Sequence, residues 1–234
     1  VPVLKETIRA LHSTNDDANG ILAATDKGLY RTYNVNAGWE KLQFPAGTDE
    51  QIFAVHVSPL QPTTIWAGTV RSGLLVSKDG GVTWQKSPLI PTQVPIQAIE
   101  SDPTNPNVVY VGTTQTLYMT RDGGANFVRR GGGLPAGNFS AILINPSNPN
   151  EVFAGSALEN RGGIFHSVDA GQTWRQLDTQ DVTIPSRRVW AMEFDSTSHN
   201  SLLIGTHSAG VFRIEKTNVA ASAEPGTRPR VAGN

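Results

Sequence analysis

The chain has 234 residues, with 19 Lys and Arg against 20 Asp and Glu, a formal net charge of −1, and no cysteine. This balance excludes attraction to nucleic acid or to an anionic membrane through net charge, and the missing cysteines exclude disulfides, thiol nucleophiles and thiolate metal sites. No apolar run reaches the roughly 20 residues that a membrane helix needs, so we expect no nucleic-acid partner and no insertion into a membrane.

Five similar units follow one another along the chain, and each begins with a short apolar strand. All five strands carry an alanine at their third position, which fits crowding around a common axis. We therefore expect these strands to be the innermost ones. They are IRALHS (8–13), IFAVHV (52–57), IQAIES (96–101), FSAILI (139–144) and VWAMEF (189–194).

Two further strands follow in each unit, and turn sequences rich in Pro and Asn separate most of the first and second strands. The second strands are ILAAT, IWAGT, VYVGT, VFAGS and LLIGT, and the third are GLYRT, GLLVS, TLYMT, GIFHS and GVFRI. A fourth short strand follows in four units, and no segment shows helical periodicity. The pattern predicts an all-β protein, a β-propeller of five repeats with four-stranded blades.

An octapeptide, SKDGGVTW at 77–84, recurs between the third and fourth strands at intervals of 43 to 47 residues, with a degenerate copy at 32–39. Its aspartate can accept hydrogen bonds from its own hairpin, and its aromatic residue can bury a large apolar area between sheets. We interpret its residues as structural, not as catalytic or metal-binding groups. They are Ser77, Asp79, Gly81, Thr83 and Trp84, then Thr120, Asp122, Gly124 and Phe127, then Ser167, Asp169, Gly171, Thr173 and Trp174.

This octapeptide resembles the Asp-box, or BNR, repeat of sialidases, sortilin-type receptors, some glycoside hydrolases and propellers similar to photosystem II assembly factors. The resemblance covers the chain up to about Lys216. It implies that the octapeptides lie on the rim opposite the functional face. It also implies a bacterial protein that is exported to the periplasm or the extracellular space.

The fifth unit ends after its third strand, where Glu215 and Lys216 stand in place of an octapeptide. A blade without its fourth strand exposes a sheet edge that invites aggregation. Val1–Lys5 is long and apolar enough to supply that strand, so we predict that it closes the last blade. We expect one propeller domain over 1–216 and a flexible tail over 217–234, which is small, polar and contains Pro and Gly.

Binding residues concentrate in loops on rigid scaffolds, and in this family the loops opposite the octapeptides form the functional face. Arginines around a channel mouth can hold a carboxylate through paired hydrogen bonds, although solvated surface charges give the same pattern. The candidate binding residues on this face are Arg71, Glu159, Arg161, Arg187, Arg188, Trp190 and His207.

The sequence departs from the sialidases, which need six blades, an early Arg-Ile-Pro-like segment and a tyrosine nucleophile. Arg9-Ala10-Leu11 does not match that segment. Glu100 and Glu193 occupy the same position of inner strands two units apart and form the one carboxylate pair worth considering for a glycosidase. Solvation of a channel wall explains that pair equally well.

We therefore predict a non-catalytic scaffold that recognises a protein or peptide and needs neither cofactor nor metal. The alternative is a carbohydrate-active module that binds a glycan, either lectin-like or related to glycoside hydrolases and sialidases. A third possibility is that the five units belong to a larger ring, formed by a longer chain or by another copy of this chain.

Overall fold

The computed structural model describes residues 3–177, 184–195 and 201–215, and all their regular structure is β-strand. No helix that could cross a membrane is found in these ranges. The strands form five antiparallel sheets in chain order, which we call blades 1 to 5. The predicted β-propeller of four-stranded blades is confirmed, except that blade 5 has three strands among the described residues.

Within each blade the strands follow one another from the inside outward. Blade 1 comprises β1 (Ile8–Ser13), β2 (Ile21–Thr25), β3 (Gly28–Thr32) and β4 (Glu40–Leu42), and blade 2 comprises β5 (Ile52–Val57), β6 (Ile65–Thr69), β7 (Leu74–Ser77) and β8 (Gln85–Lys86). Blade 3 comprises β9 (Ile96–Asp102), β10 (Asn105–Thr113), β11 (Leu117–Thr120) and β12 (Val128–Arg129). Blade 4 comprises β13 (Phe139–Ile144), β14 (Val152–Ser156), β15 (Gly163–Ser167) and β16 (Arg175–Gln176), and blade 5 comprises β17 (Val189–Phe194), β18 (Ser201–Thr206) and β19 (Gly210–Glu215).

The hydrophobic core lies between the blades, because a single sheet cannot cover either of its own faces. Ile52 and Val55 of β5 pack against Leu22 and Leu29 of blade 1, and equivalent clusters fill the three junctions that follow. In each inner strand from β5 to β17, the first and fourth side chains face the preceding blade. In most of these strands the sixth side chain does so too. We call this side of a blade its leading face, and the opposite side its trailing face.

The octapeptide of blade 2 forms the hairpin between β7 and β8. Asp79 Oδ1 accepts hydrogen bonds from the Thr83 amide at 2.9 Å and the Ser77 hydroxyl at 2.7 Å, and Oδ2 accepts one from the Thr83 hydroxyl at 2.5 Å. The Thr83 hydroxyl, the Thr83 amide and the Ser77 hydroxyl lower the pKa of Asp79 to about 2. Hydrogen bonds to its ionised form therefore hold the hairpin in one conformation.

A glycine of the octapeptide allows neighbouring blades to approach closely. Gly124 has a φ of +96°, and a Cβ built there would lie 2.6 Å from the Trp66 ring of blade 2. The aromatic ring of Phe127 meets the same Trp66 edge-on, with ring centroids 6.4 Å apart. A side chain at this position would clash with the ring and strain the backbone, so each octapeptide also serves the junction with the preceding blade.

The predicted closure of blade 5 by Val1–Lys5 is not found among the described residues. Residues 3–5 form no strand, and β19 is the last strand of its sheet in this part of the chain. Just upstream of β1, the Thr7 amide donates to Asp26 Oδ1 at 2.9 Å and the Asp26 amide donates to the Thr7 carbonyl oxygen. These bonds tie Thr7 to the turn between β2 and β3. The predicted tail at 217–234 lies outside the described residues.

We predict that Asp79→Ala lowers the melting temperature at neutral pH, because the Ser77 and Thr83 donors lose their acceptor. The pKa of Asp79 is depressed in the folded state from its ordinary value of 3.8 to about 2. The stabilisation is therefore complete above pH 3.8 and is lost as the pH falls through about 2. Thermal unfolding followed by circular dichroism should show the gap between the two proteins closing over that range.

Asp17→Ala is the matched control, because Asp17 is an exposed aspartate in a turn of blade 1. It should leave the melting temperature unchanged. A melting temperature for Asp79→Ala equal to that of the unmodified chain at pH 7 would contradict the role assigned to the aspartate.

Candidate functional site

A β-bulge at the same place in every inner strand directs one side chain toward the centre of the ring. The pairing register between the first and second strands of each blade skips the residue before the shared alanine. A bulge changes the direction of the side chain at the extra residue. The bulged residues all line one central cavity, and they are Arg9, Phe53, Gln97, Ser140 and Trp190.

The five shared alanines form the next level of the same cavity. Its volume is about 810 Å³, within the usual range for sites that hold small ligands. The prediction that small residues surround the axis is confirmed at all five positions. Their small side chains leave the cavity continuous from the bulged residues down to Glu100.

Two positions beyond the alanines, four of the five inner strands carry an ionisable residue: His12, His56, Glu100 and Glu193. The rings of His12 and His56 meet edge-on with centroids 4.9 Å apart, and His56 Nδ1 lies 3.9 Å from Glu100 Oε2. Glu100 and Glu193 line a second pocket of about 340 Å³ on either side of Leu143. We call these four residues the ionisable tier.

The surroundings of the Glu100 carboxyl group favour its protonated form. Burial of its carboxyl group, with a further contribution from the nearby Glu193, raises the pKa of Glu100 to about 8. The side chain still exposes 38% of its surface, and it lines both the central cavity and the second pocket. The group is thus a recessed acid that remains open to the channel.

His56 is neutral, because burial and the nearby His12 lower the pKa of His56 to about 3. Its Nε2 accepts a hydrogen bond from the Ser101 amide at 3.2 Å, so its proton lies on Nδ1. Nδ1 is buried without a hydrogen-bond partner, and its 3.9 Å separation from Glu100 is too long for a hydrogen bond. The contact therefore joins a neutral imidazole to a neutral acid and is not an ion pair. Among the described residues, no group of three His, Asp or Glu side chains is placed to hold a metal ion.

The candidate binding residues of the loops do not form one cluster. Arg71 reaches Asp49 at 3.7 Å, and Trp190 lies beside His207 with ring centroids 6.3 Å apart. Arg161 and Arg187 line a separate pocket of about 460 Å³. The remaining two, Glu159 and Arg188, line none of these three pockets, and Glu159 is exposed whereas Arg188 is half-buried.

Of these candidates, Trp190 alone lines the central cavity, where it is 44% exposed. The sequence alone indicated Glu100 and Glu193 as a pair, but it did not indicate the other bulged residues and did not join the two glutamates with His12 and His56. Counting two positions beyond the shared alanine in each inner strand would have joined the four residues of the tier, whereas only the pairing registers identify the bulged residues. The bulged residue precedes the alanine by one position, and the ionisable residue follows it by two.

A family model for the BNR/Asp-box repeat matches residues 75–86, which include the octapeptide of blade 2. Over 157 residues the chain is 28% identical to the oligoxyloglucan-reducing end-specific xyloglucanase of Emericella nidulans. That match covers 62% of this chain and 18% of the relative. A xyloglucanase of Hypocrea jecorina is 29% identical over 143 residues, covering 61% of this chain and 16% of the relative. The chain therefore spans less than a fifth of the length of these curated relatives.

Solved structures share the fold at low sequence identity. An ancestral GH74 enzyme matches with a TM-score of 0.72 and 18% identity, over 94% of this chain and 31% of that one. YCF48 bound to a D1 peptide matches with a TM-score of 0.63 and 17% identity, over 93% of this chain and 70% of that one.

The prediction of a non-catalytic protein is wrong, because the curated relatives are named xyloglucanases and the structural neighbours include GH74 enzymes. The prediction relied on the missing catalytic residues of sialidases, and the absence of that set does not exclude a different glycoside hydrolase. The predicted resemblance is confirmed by the repeat match and by the neighbouring propellers. The chain carries a BNR/Asp-box repeat at residues 75–86 and has the fold of a β-propeller.

Proposed function

We propose that this propeller is a carbohydrate-active module of a glycoside hydrolase that acts on a xyloglucan-type polysaccharide. The sequence relatives with that named activity support the substrate class. The observation that carries the proposal is the carboxyl pair of Glu100 and Glu193, which lines one pocket and includes an acid whose pKa is raised by burial.

Glycoside hydrolysis by two carboxyl groups requires one to donate a proton and the other to act as a base or a nucleophile. Glu100, with a pKa of about 8, retains the proton that a leaving glycosidic oxygen needs. Glu193 is exposed at the edge of the same pocket, and its carboxylate is the partner that takes a proton from the attacking water. Two carboxyl groups in unlike surroundings thus divide the acid and base roles.

The sugar chain reaches this pair through the central cavity. Its volume of about 810 Å³ leaves room for several pyranose rings, and its wall combines the Gln97 amide and Ser140 hydroxyl with apolar side chains. Trp190 supplies an exposed aromatic ring beside the entrance, and aromatic faces pack well against the apolar faces of sugar rings. A polymeric substrate of this kind is met outside the cell, which supports the predicted export of the protein.

We expect Glu100→Gln to reduce the release of reducing ends from xyloglucan oligosaccharides by about 100-fold or more, because proton donation to the leaving oxygen is lost. Glu193→Gln should reduce it to a similar extent. Glu159→Gln is the matched control, since Glu159 is an exposed carboxylate on a loop of blade 4. Full activity of both tier variants, or no activity of the unmodified chain on any neutral glucan, would refute the catalytic assignment.

Binding is tested separately from turnover with Trp190→Ala and Trp190→Phe. Loss of the stacking ring should weaken the binding of xyloglucan oligosaccharides about 5-fold in isothermal titration calorimetry, since one such contact is worth about 1 kcal/mol. The phenylalanine variant should retain most of the affinity. Equal affinities for all three proteins would remove Trp190 from the site.

The raised pKa of Glu100 also predicts a pH-dependent cost in stability. Between its ordinary pKa of 4.5 and its folded value of about 8, the folded state holds a proton that the unfolded state has lost. Stability therefore falls as the pH rises through this range. Glu100→Gln should raise the melting temperature at pH 8 and leave it nearly unchanged at pH 4.5. A variant that is less stable than the unmodified chain at pH 8 would contradict the burial argument.

A further inference from the structure

The ring of His56 is held in place by the strand that carries Glu100. His56 lies on β5 of blade 2, and its Nε2 accepts a hydrogen bond from the Ser101 amide at 3.2 Å and lies 2.8 Å from the Ser101 hydroxyl. Ser101 directly follows Glu100 on β9 of blade 3. Because a backbone N–H can only donate, the neutral ring carries its single N–H at Nδ1. The junction between blades 2 and 3 therefore fixes both the orientation and the tautomer of His56.

The Nδ1–H group of His56 is a buried donor without a partner. The residue is 3% exposed, and its Nδ1 has no hydrogen bond among the described residues. A buried donor that stays unpaired costs free energy, so its fixed place needs an explanation. Glu100 Oε2 lies 3.9 Å away, and a shift of about 1 Å would bring the two atoms to hydrogen-bond distance. The Glu100 side chain is 38% exposed and has room to make that shift.

The other groups that face Glu100 offer no cation to its ionised form. Glu193 of β17 is a second carboxyl group, and the strand between them, β13, presents the apolar Leu143. Tyr110 pairs with Glu100 across the sheet, and burial raises the pKa of Tyr110 to about 12, so its phenol stays neutral. Among the described residues, no lysine or arginine forms an ion pair with Glu100. A carboxylate formed here therefore depends on hydrogen bonds for its stabilisation.

His12 adds neither a charge nor a free N–H to this group. Its Nδ1 donates to the Ser13 carbonyl oxygen at 2.7 Å, and burial lowers the pKa of His12. Burial and the nearby His12 lower the pKa of His56 to about 3, so the His56 ring takes up no proton near neutral pH. His56 can therefore donate a hydrogen bond to Glu100, but it cannot exchange the catalytic proton.

The contact between His56 and Glu100 strengthens when Glu100 loses its proton. Hydrogen bonds to an ionised acceptor are shorter and stronger than those to a neutral acid. In the proposed hydrolysis, Glu100 gives its proton to the leaving glycosidic oxygen as the bond from that oxygen to the sugar carbon breaks, and the negative charge stays on Glu100. A donor that is already fixed beside this charge stabilises the transition state more than the ground state.

We propose that His56 is a positioning residue whose Nδ1–H donates a hydrogen bond to the Glu100 carboxylate as that carboxylate forms, an assignment that rests on the proposed function. His56 lines neither the central cavity nor the second pocket, so it acts through Glu100 and not on the sugar. It keeps its own proton throughout. The proton that Glu193 takes from the attacking water passes to solvent, and solvent returns one proton to Glu100.

Two substitutions separate the Nδ1 donor from the rest of the ring. In His56→Gln, the terminal amide lies as many bonds from Cβ as Nε2 does, so it can accept from the Ser101 amide but leaves no donor at the place of Nδ1. In His56→Asn, the amide nitrogen lies as many bonds from Cβ as Nδ1 does, so the donor is retained. His207→Gln, at an exposed histidine in the turn between β18 and β19, is the matched control.

The titration of Glu100 tests the hydrogen bond directly. It is followed by NMR of protein labelled with ¹³C at the glutamate carboxyl carbons, and Glu100→Gln identifies the resonance. His56→Gln should raise the pKa of Glu100 by about one unit, because the ionised form loses a charge-assisted hydrogen bond. His56→Asn and His207→Gln should titrate like the unmodified chain. In the unmodified chain, the His56 Nδ1 proton resonance should move downfield as Glu100 ionises, and Glu100→Gln should abolish this movement.

The catalytic use of the hydrogen bond has a separate readout. On xyloglucan oligosaccharides, His56→Gln should lower kcat about 10-fold and leave KM unchanged, since the donor acts only as the proton leaves Glu100. The alkaline limb of the pH–rate profile should move to higher pH by the same unit as the titration. His56→Asn should restore most of kcat, which a loss of packing alone would not explain.

An unchanged pKa of Glu100 in His56→Gln would overturn the hydrogen bond, and an equal rise in His56→Gln and His56→Asn would attribute the effect to packing and overturn it as well. A raised pKa with an unchanged kcat would overturn the catalytic use. Absence of hydrolysis by the unmodified chain would refute the proposed function, and the titration would still decide whether His56 stabilises the ionised Glu100. If circular dichroism shows that His56→Gln does not fold, a His56 Nδ1 proton resonance that stays fixed while Glu100 ionises would overturn the hydrogen bond.

Discussion

Each blade of this protein has apolar faces that it cannot bury alone, so each depends on packing against its neighbours. The junctions between blades therefore hold the hydrophobic core, from the cluster around Trp84 to the cluster around Phe153. Burial at each junction supplies the main driving force for folding, and the octapeptide hairpins align successive sheets. Lys78 illustrates this alignment, because it lies over the Trp66 ring and donates to the Gly123 carbonyl oxygen of the next hairpin.

The bulged inner strand allows one structural element to serve both packing and recognition. The first residue of the strand lies before the bulge and faces the preceding blade. The fourth and sixth residues lie after the bulge and face the same blade, whereas the bulged residue faces the cavity. The shared alanine then keeps the axis open. The fifth residue is free to vary, and in this chain it provides His56 in one blade and Glu100 in the next. Glu100 is costly to the fold above its ordinary pKa, and a group that stability does not explain fits a role in chemistry.

The fold was predictable because its signals repeat. Five alanines in register and three octapeptides set the number of blades, the order of strands and the position of the axis. The bulge was not predictable from residue types, since Arg9, Phe53, Gln97, Ser140 and Trp190 share no chemistry and only pairing registers reveal it. The exposure of Leu11 and Val211 was not predictable either, because both have the residue types of buried positions in the repeat.

Residues that hold the blades together and residues that line the cavity differ in how regularly they repeat, because they meet different physical constraints. Positions that hold the blades together meet the same surroundings in every blade, so they repeat and dominate a search for motifs. A ligand meets each blade at a different angle, so the residues that contact it differ from blade to blade. The octapeptide aspartates are therefore conspicuous in the sequence and serve the architecture. The position two beyond the alanine reads His, His, Glu, Leu and Glu along the chain. A polar position that changes at a constant place in the repeat is the stronger sequence indication of a site, and here it leads to Glu100 and Glu193.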